Sequence, residues 1–206
     1  MATTWEQTFD PVALVEARFQ QSIAIPEKFF SAEAERIAQA CWAMARRFHQ
    51  GGRLLAFGVG ASATDAQHVA VEFVHPVIVG KRALPAQALT NDSASLSGLM
   101  SSKERTTGAF GHLLSSIGHS TDIALGFSVD GSEATIVSAL QTAREMGLLT
   151  LGLTGSTGGL FKDLQLDFCF VVPSSDPFVV QEVHETLYHV LWELVHVFFE
   201  HEGLLK

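Results

Sequence analysis

A three-layer α/β sandwich around a mainly parallel, five-stranded sheet is the fold class this chain predicts, on three observations. Short apolar runs alternate with helical segments from residue 53 onward, the pattern that places helices on both faces of a parallel sheet. The first run, Arg53-Leu54-Leu55-Ala56-Phe57, reads as a buried strand, because its apolar residues do not alternate with polar ones. It passes through Gly58-Val59-Gly60 straight into a helix, and the glycines let the backbone turn tightly there.

Taken in order, the elements begin with two helices, about 11–22 and 31–50. The second carries Ala34, Ile37, Ala38, Cys41, Trp42 and Ala45 on one face and ends at Gly51-Gly52. Strand 53–57 follows, then helix 62–75 with Ser62 as its N-cap. Next come strand 84–89, helices 93–102 and 105–117, strand 121–127 and helix 132–146. Strands 148–154 and 167–172 and a long helix 177–201 complete the chain. Residues 1–50 are expected to pack on the core and on other subunits, and 51–206 to form the sheet domain. The last helix, with Leu187, Leu191, Leu194, Val195, Phe198 and Phe199, is apolar over more than one face, which suits packing between subunits. Ligands of such sheets bind outside the carboxyl ends of the strands where strand order reverses. The loops 58–62, 90–93, 128–133 and 154–159 are therefore the candidate site loops.

Composition narrows the function. A formal net charge of -9 and the lack of any basic run argue against nucleic acid as a partner. Cys41 and Cys169 sit in apolar contexts and read as reduced core thiols rather than a disulfide or a zinc-thiolate site. The N-terminal stretch has no basic and apolar signal pattern, and no apolar run approaches the ~20 residues of a membrane span, so the expected location is the cytoplasm.

The helix after the glycine turn holds the most informative residues. Its first turn offers unpaired N–H groups and the positive end of the helix dipole, which suit an anion such as phosphate. His68 and Glu72, four residues apart, lie about 40° apart around the helix axis and can converge on one ion or one substrate carbon. The same spacing is common for pairs on solvated helix faces. His75, His112, His119, His196 and His201 belong to no motif and read as structural or exposed. Thr154-Gly155-Ser156-Thr157-Gly158-Gly159 either supplies N–H groups to a ligand or caps its strand.

Over about residues 30–200 the chain resembles the sugar isomerase (SIS) domain, and within it the bacterial phosphoheptose isomerases. The resemblance rests on Asp65-Ala66-Gln67-His68 with Glu72, on Leu84-Pro85-Ala86 through Thr90-Asn91-Asp92-Ser93, and on Leu153-Thr154-Gly155 with Gly158-Gly159. Val172-Pro173-Ser174, Gln181-Glu182-Val183-His184 and His189 extend it. It implies a flavodoxin-like sheet, a homotetramer with its sites at subunit interfaces, and conversion of sedoheptulose 7-phosphate to a heptose 7-phosphate. By that resemblance Glu72 is the base that takes the proton beside the carbonyl, and His189 the acid that moves protons between the enediol oxygens. Substrate contacts are expected at Gly60, Ser62, Asp92, Ser128, Asp130, Ser132, Thr154 and Gln181. The resemblance also implies zinc, held by His68, Glu72, Gln181 and His189, to polarise the carbonyl. Gln181 and His189 are ~12 Å apart along an ideal helix, so convergence on one ion needs a helix irregularity or a neighbouring subunit. Glu185 and His184 are nearer alternatives by spacing.

The chain departs from the family pattern where phosphate should bind. The family's Gly-Asn-Gly-Gly-Ser turn has Val59 at the Asn and Ala61 at the second Gly of the pair. Its Ser-Thr-Ser-Gly-Asn-Ser loop becomes Ser128-Val129-Asp130-Gly131-Ser132-Glu133, with carboxylates where hydroxyls meet the phosphate. Like charges at about 4 Å repel by roughly 4 kcal/mol in a partly screened site. Alternatively, Glu133 decorates the first turn of the next helix, where acids are favourable. The family's Gly-Asn-Asp segment is replaced by Met100-Ser101-Ser102-Lys103-Glu104-Arg105, in which Lys103 and Arg105 offer positive charge or are solvated loop residues. A phosphoheptose-type isomerase is the leading expectation. The alternatives are a non-catalytic sugar-derivative sensor or assembly partner, and an isomerase of a different sugar.

Overall fold

The computed structural model describes residues 10–101 and 108–205. Lys103 and Arg105 lie outside the described residues. Five parallel strands run in the order β2-β1-β3-β4-β5, so strand order reverses between β1 (Leu54–Phe57) and β3 (Ile123–Phe127). The others are β2 (Ala86–Ala88), β4 (Leu149–Gly155) and β5 (Phe168–Val172). Alternate residues of each strand feed two cores. Leu54, Ala56, Ile123, Leu125 and Phe127 face α1 (Pro11–His49), α2 (Ala61–Val74) and α6 (Pro177–Glu200). Leu55, Phe57 and Ala124 face α4 (Gly108–Ile117) and α5 (Ala134–Glu145), with α3 (Ser93–Ser101) beside α4. The predicted fold class is the observed one, with the reversal point at β1 and β3.

Three local expectations are corrected. The two predicted N-terminal helices are one helix of 39 residues, which passes through Pro26. Proline inside a helix removes the hydrogen bond to residue i−4 and costs ~3 kcal/mol or more, so local sequence argues for a break. Tertiary contacts on both sides of Pro26 oppose it. Arg18 pairs with Asp176 and Glu182 at 2.9 Å each, Ser22 Oγ donates to Glu182 at 2.6 Å, and Phe29 is buried in the core. Second, Ser62 is not the cap of α2, because the helix starts one residue earlier and its N-cap is Gly60, with φ +58°. Gly58 is needed for a different reason: a Cβ there would lie 2.4 Å from the Ser62 carbonyl oxygen. Third, predicted strand 84–89 shrinks to Ala86–Ala88, followed by a single 3₁₀ turn, Leu89–Asn91.

Where local signals agree with packing, the elements match expectation. Asp10 and Asp176 cap α1 and α6, each with proline at the first turn and each accepting from two backbone N–H groups. Cys41 is buried, and burial pushes its thiol up to about 12, as expected of an inert core thiol; Cys169 is raised by burial too, and both are free. Among the described residues no helix is long and apolar enough to cross a membrane.

The start of the sheet rests on one buried carboxylate. Asp122 accepts from the backbone N–H groups of Arg53 and His119, both at 3.0 Å, and pairs with the Arg53 Nε at 3.3 Å. Asp122→Ala leaves those donors without an acceptor, and the expected loss of unfolding free energy is about 2–3 kcal/mol. Urea denaturation checks it: the midpoint falls with an unchanged slope.

Candidate active site

Helix α2 follows β1 and packs against α6 on the same face of the sheet, which sets the spacing of the side chains between them. His68 and Glu72 project from α2, and His189 from α6. Glu72 Oε1 lies 3.4 Å from His68 Nε2 and 3.1 Å from His189 Nε2. One ligand atom from each residue falls within 4.8 Å of the others, a set able to hold a metal ion. The Glu72 side chain is 11% exposed and the two imidazoles 41% and 45%, so the carboxylate is the floor and the rings are the rim. Trp192 Nε1 donates to the Glu72 backbone carbonyl at 2.9 Å and ties that turn of α2 to α6.

The other proposed ligands fall elsewhere. Gln181 Nε2 donates to Asp65 Oδ1 at 3.1 Å, so the amide serves a second cluster two turns away on α6 and is not gathered into the triad. His184 is fully buried against the sheet, and desolvation lowers it to about 4, so it is a neutral imidazole of the core. Its Nε2 has no hydrogen-bond partner. Glu185 approaches His68 from the other side, with Oε1 3.8 Å from Nδ1.

Two cavities lie at the start of α2, neither lined by a triad residue. A small one of about 60 Å³ lies between the starts of α2 and α6 and is lined by Ser62, Asp65, Val129, Phe178, Gln181 and His184. An open one of about 510 Å³ lies outside β1 and is lined by Val59, Gly60, Thr90, Leu96, Phe110 and Thr135. The aliphatic Val59 that replaces the family's amide thus faces a largely apolar space. Asp92, exposed at the start of α3, lines a third, open cavity of about 600 Å³ with Gln67 and Val71 of α2; hydrogen bonding with Ser95, whose N–H donates to Oδ1 at 3.0 Å, lowers its carboxyl.

The 128–133 loop leaves the end of β3 at the reversal point, and its carboxylates fold back on its own hydroxyls. Ser128, fully buried, donates from Oγ to Glu133 Oε2 and accepts from the Gly131 N–H at 2.7 Å. Asp130 Oδ1 accepts from both Oγ and N–H of Ser132, at 2.6 and 2.9 Å. The hydroxyls that would meet an anion are occupied by the chain's own anions. Thr154 is buried with its Oγ1 unpartnered.

Two further residues belong to this region without having been singled out by sequence reasoning. Asp65 is buried between α2 and α6, and burial raises its carboxyl from 3.8 to about 6. Tyr188 places its hydroxyl 2.7 Å from His68 Nδ1. Asp65 belongs to the quoted motif yet carries no role by spacing, and Tyr188 reads as one more large residue on an apolar helix.

Alongside a five-stranded parallel sheet and a carboxylate between two imidazoles, the sequence match decides the class: the chain belongs to the SIS domain family, whose model matches residues 19–155. Within the family it is similar to phosphoheptose isomerases. It is 34% identical over 177 residues to that of Thermodesulfovibrio yellowstonii, covering 86% of this chain and 87% of the relative. It is 40% identical over 148 residues to that of Pelobacter propionicus, covering 72% and 77%. The phosphoheptose isomerase structure from Francisella tularensis matches with a TM-score of 0.85 at 27% identity, covering 91% of this chain and 99% of that one.

Asp65 yields a pH prediction. Its folded pKa, about 6, is above the ordinary 3.8, so between those values the native state binds the proton more tightly than the unfolded chain. Stability therefore falls as pH rises through that window and the loss persists above it. Asp65→Asn keeps an oxygen for Gln181 and removes the charge. Its stability advantage over wild type should grow from about pH 4 to pH 6 and level off above; denaturation midpoints across that range that stay parallel contradict it.

Proposed function

We propose that the protein is an aldose–ketose isomerase of the phosphoheptose isomerase type, interconverting sedoheptulose 7-phosphate and a heptose 7-phosphate through an enediol. The observation that carries this is the Glu72 carboxylate, only 11% exposed and within 3.4 Å of two imidazole nitrogens. Glu72 is the base that removes the proton from the carbon beside the carbonyl. His189, 3.1 Å from it at the rim, carries protons between the two oxygens of the enediol. His68 holds the carboxylate from the other side.

Two imidazole nitrogens and a carboxylate oxygen fit zinc, a donor set that fills three positions and leaves one open. His68, Glu72 and His189 would hold it, and it would supply a Lewis acid that polarises the substrate carbonyl. Gln181 is assigned to the Asp65 cluster instead. Ser62 lines the small cavity and Gly60 the large one at the start of α2, and they form part of the substrate's surroundings; Ser128 and Thr154 are fully buried and line neither cavity. The protein acts in the cytoplasm as a homotetramer with sites at subunit interfaces. Free cysteines suit a reducing compartment, and Val12, Leu14, Val15, Phe19 and Ile23 expose an apolar stretch of α1 suited to a second copy.

Glu72→Gln tests the reaction. It is expected to fold as wild type does and to lose 10²–10⁴-fold in kcat with sedoheptulose 7-phosphate, read as formation of the aldose. Retained turnover rejects Glu72 as base, and no turnover by wild type with or without added zinc rejects the isomerase.

The self-satisfied 128–133 loop favours a second reading within the same chemistry: an isomerase whose substrate leans little on this loop, such as a sugar with a neutral or amino-bearing end. Replacing Asp130 and Glu133 together by serine frees the hydroxyls and removes two charges. The expected result with the phosphorylated sugar is a KM at least tenfold lower at unchanged kcat, the signature of uniform binding. An unchanged KM shows that the loop does not face the phosphate.

A further inference from the structure

Tyr188 is the chain's one tyrosine, and it sits on α6 directly before His189. It is 1% exposed, with its ring edge-on to Phe127 of the sheet at 6.1 Å, to His68 at 5.3 Å and to His189 at 5.0 Å. Sheet packing therefore fixes a phenol behind both imidazoles of the triad. Its hydroxyl has one hydrogen-bond partner among the described residues, His68 Nδ1 at 2.7 Å. The carboxylate that could compete for that nitrogen, Glu185, stays 3.8 Å away, beyond hydrogen-bond length.

We propose that Tyr188 is a positioning residue for His68: its hydroxyl anchors Nδ1 and so holds Nε2 toward Glu72 and His189. The choice of a phenol for this task has a chemical consequence. A carboxylate behind Nδ1 can only accept, which demands N–H at Nδ1 in every state. A phenol either donates or accepts. In the metal-free protein the hydroxyl donates to Nδ1, the ring proton sits on Nε2, and Nε2–H points at the Glu72 carboxylate. Were Nε2 to hold Zn²⁺, the ring proton would sit on Nδ1 and the hydroxyl would be its acceptor. Burial, then the carboxylates of Asp65, Glu185 and Glu72, push the phenol's pKa up in the metal-free protein. The metal-free half of this inference stands on geometry alone; the Zn²⁺ half rests on the zinc reading of the triad.

Tyr188→Phe keeps the ring and removes only the hydroxyl. In metal-free wild type, long-range ¹H–¹⁵N correlation NMR should show His68 as a single Nε2–H tautomer, and in the variant as a mixture. The same tautomer distribution in both proteins overturns the proposal. Zn²⁺ affinity measured by chelator competition should fall roughly 10–100-fold in the variant with little change in its metal-free melting temperature, as loss of an outer partner of a metal-binding histidine does elsewhere; equal affinity overturns the Zn²⁺ half. Wild type alone provides a further reading if the variant does not fold. With one tyrosine in the chain, the ultraviolet Raman doublet reports this hydroxyl only. It should pass from donor to acceptor on adding Zn²⁺, and a doublet that does not change rejects the switch. If wild type takes up no Zn²⁺, the zinc reading fails, and the metal-free tautomer still decides whether Tyr188 positions His68.

Discussion

Helices α2 and α6 meet over the same face of the sheet, and every chemical property of the site depends on that contact. Ala66, Val69, Ala70 and Phe73 of α2 and Val180, Val183, Leu187 and Leu191 of α6 bury the apolar side of the pair. The flank left at the edge carries Asp65, His68 and Glu72 on one helix and Gln181, Glu185, Tyr188 and His189 on the other. Packing at near-crystalline density fixes the separation of the helices to within tenths of an ångström, and polar side chains at their edge inherit that precision. Trp192 joins the two functions, since it packs in the core and also donates to the Glu72 carbonyl. The geometry of the triad is thus a by-product of a hydrophobic contact.

The second feature is how this chain manages negative charge near a place where an anion is expected. A serine hydroxyl offers one proton. In the 128–133 loop the Ser128 and Ser132 protons go to Glu133 and Asp130. A helix start normally lends its free N–H groups to an outside anion. Here Glu133 stands at the cap position of α5 with no side-chain hydrogen bond to the helix N–H groups, its carboxylate turned instead to Ser128. The loop is well ordered by these bonds and chemically quiet for the same reason.

How far the sequence was readable follows the range of the forces involved. The layer architecture and the parallel sheet were legible because buried parallel strands and the glycine turn leave local patterns, whereas no local pattern carries the strand order. That His68 and Glu72 share a helix face was legible from helix period, which left both a solvated pair and a site open. His189 is 121 positions beyond His68, and only resemblance to a family links them, because no local rule says which two helices will touch. The break expected near Pro26 failed for the same reason, since the contacts that carry the helix through come from Asp176 and Glu182, far along the chain. Ser62 looked like a cap because serine usually is one, whereas the left-handed φ of Gly60 moved the start of the helix. Whether Asp130 and Glu133 faced outward or inward was a question of side-chain rotation, to which composition is blind. The Tyr188 hydroxyl was hidden by its own hydrophobicity.

The length of α1 has a geometric consequence. At 1.5 Å per residue, 39 residues extend about 58 Å. A compact chain of this size has a radius of gyration of about 17 Å, so it is shorter across than its own first helix. Part of the helix must overhang, and residues 12–17 are exposed on every side, Val12, Leu14 and Val15 included. No face of that stretch is committed to its own core. It is a beam anchored at Arg18 and Ser22 and cantilevered beyond them, and its reach exceeds what one globule can use.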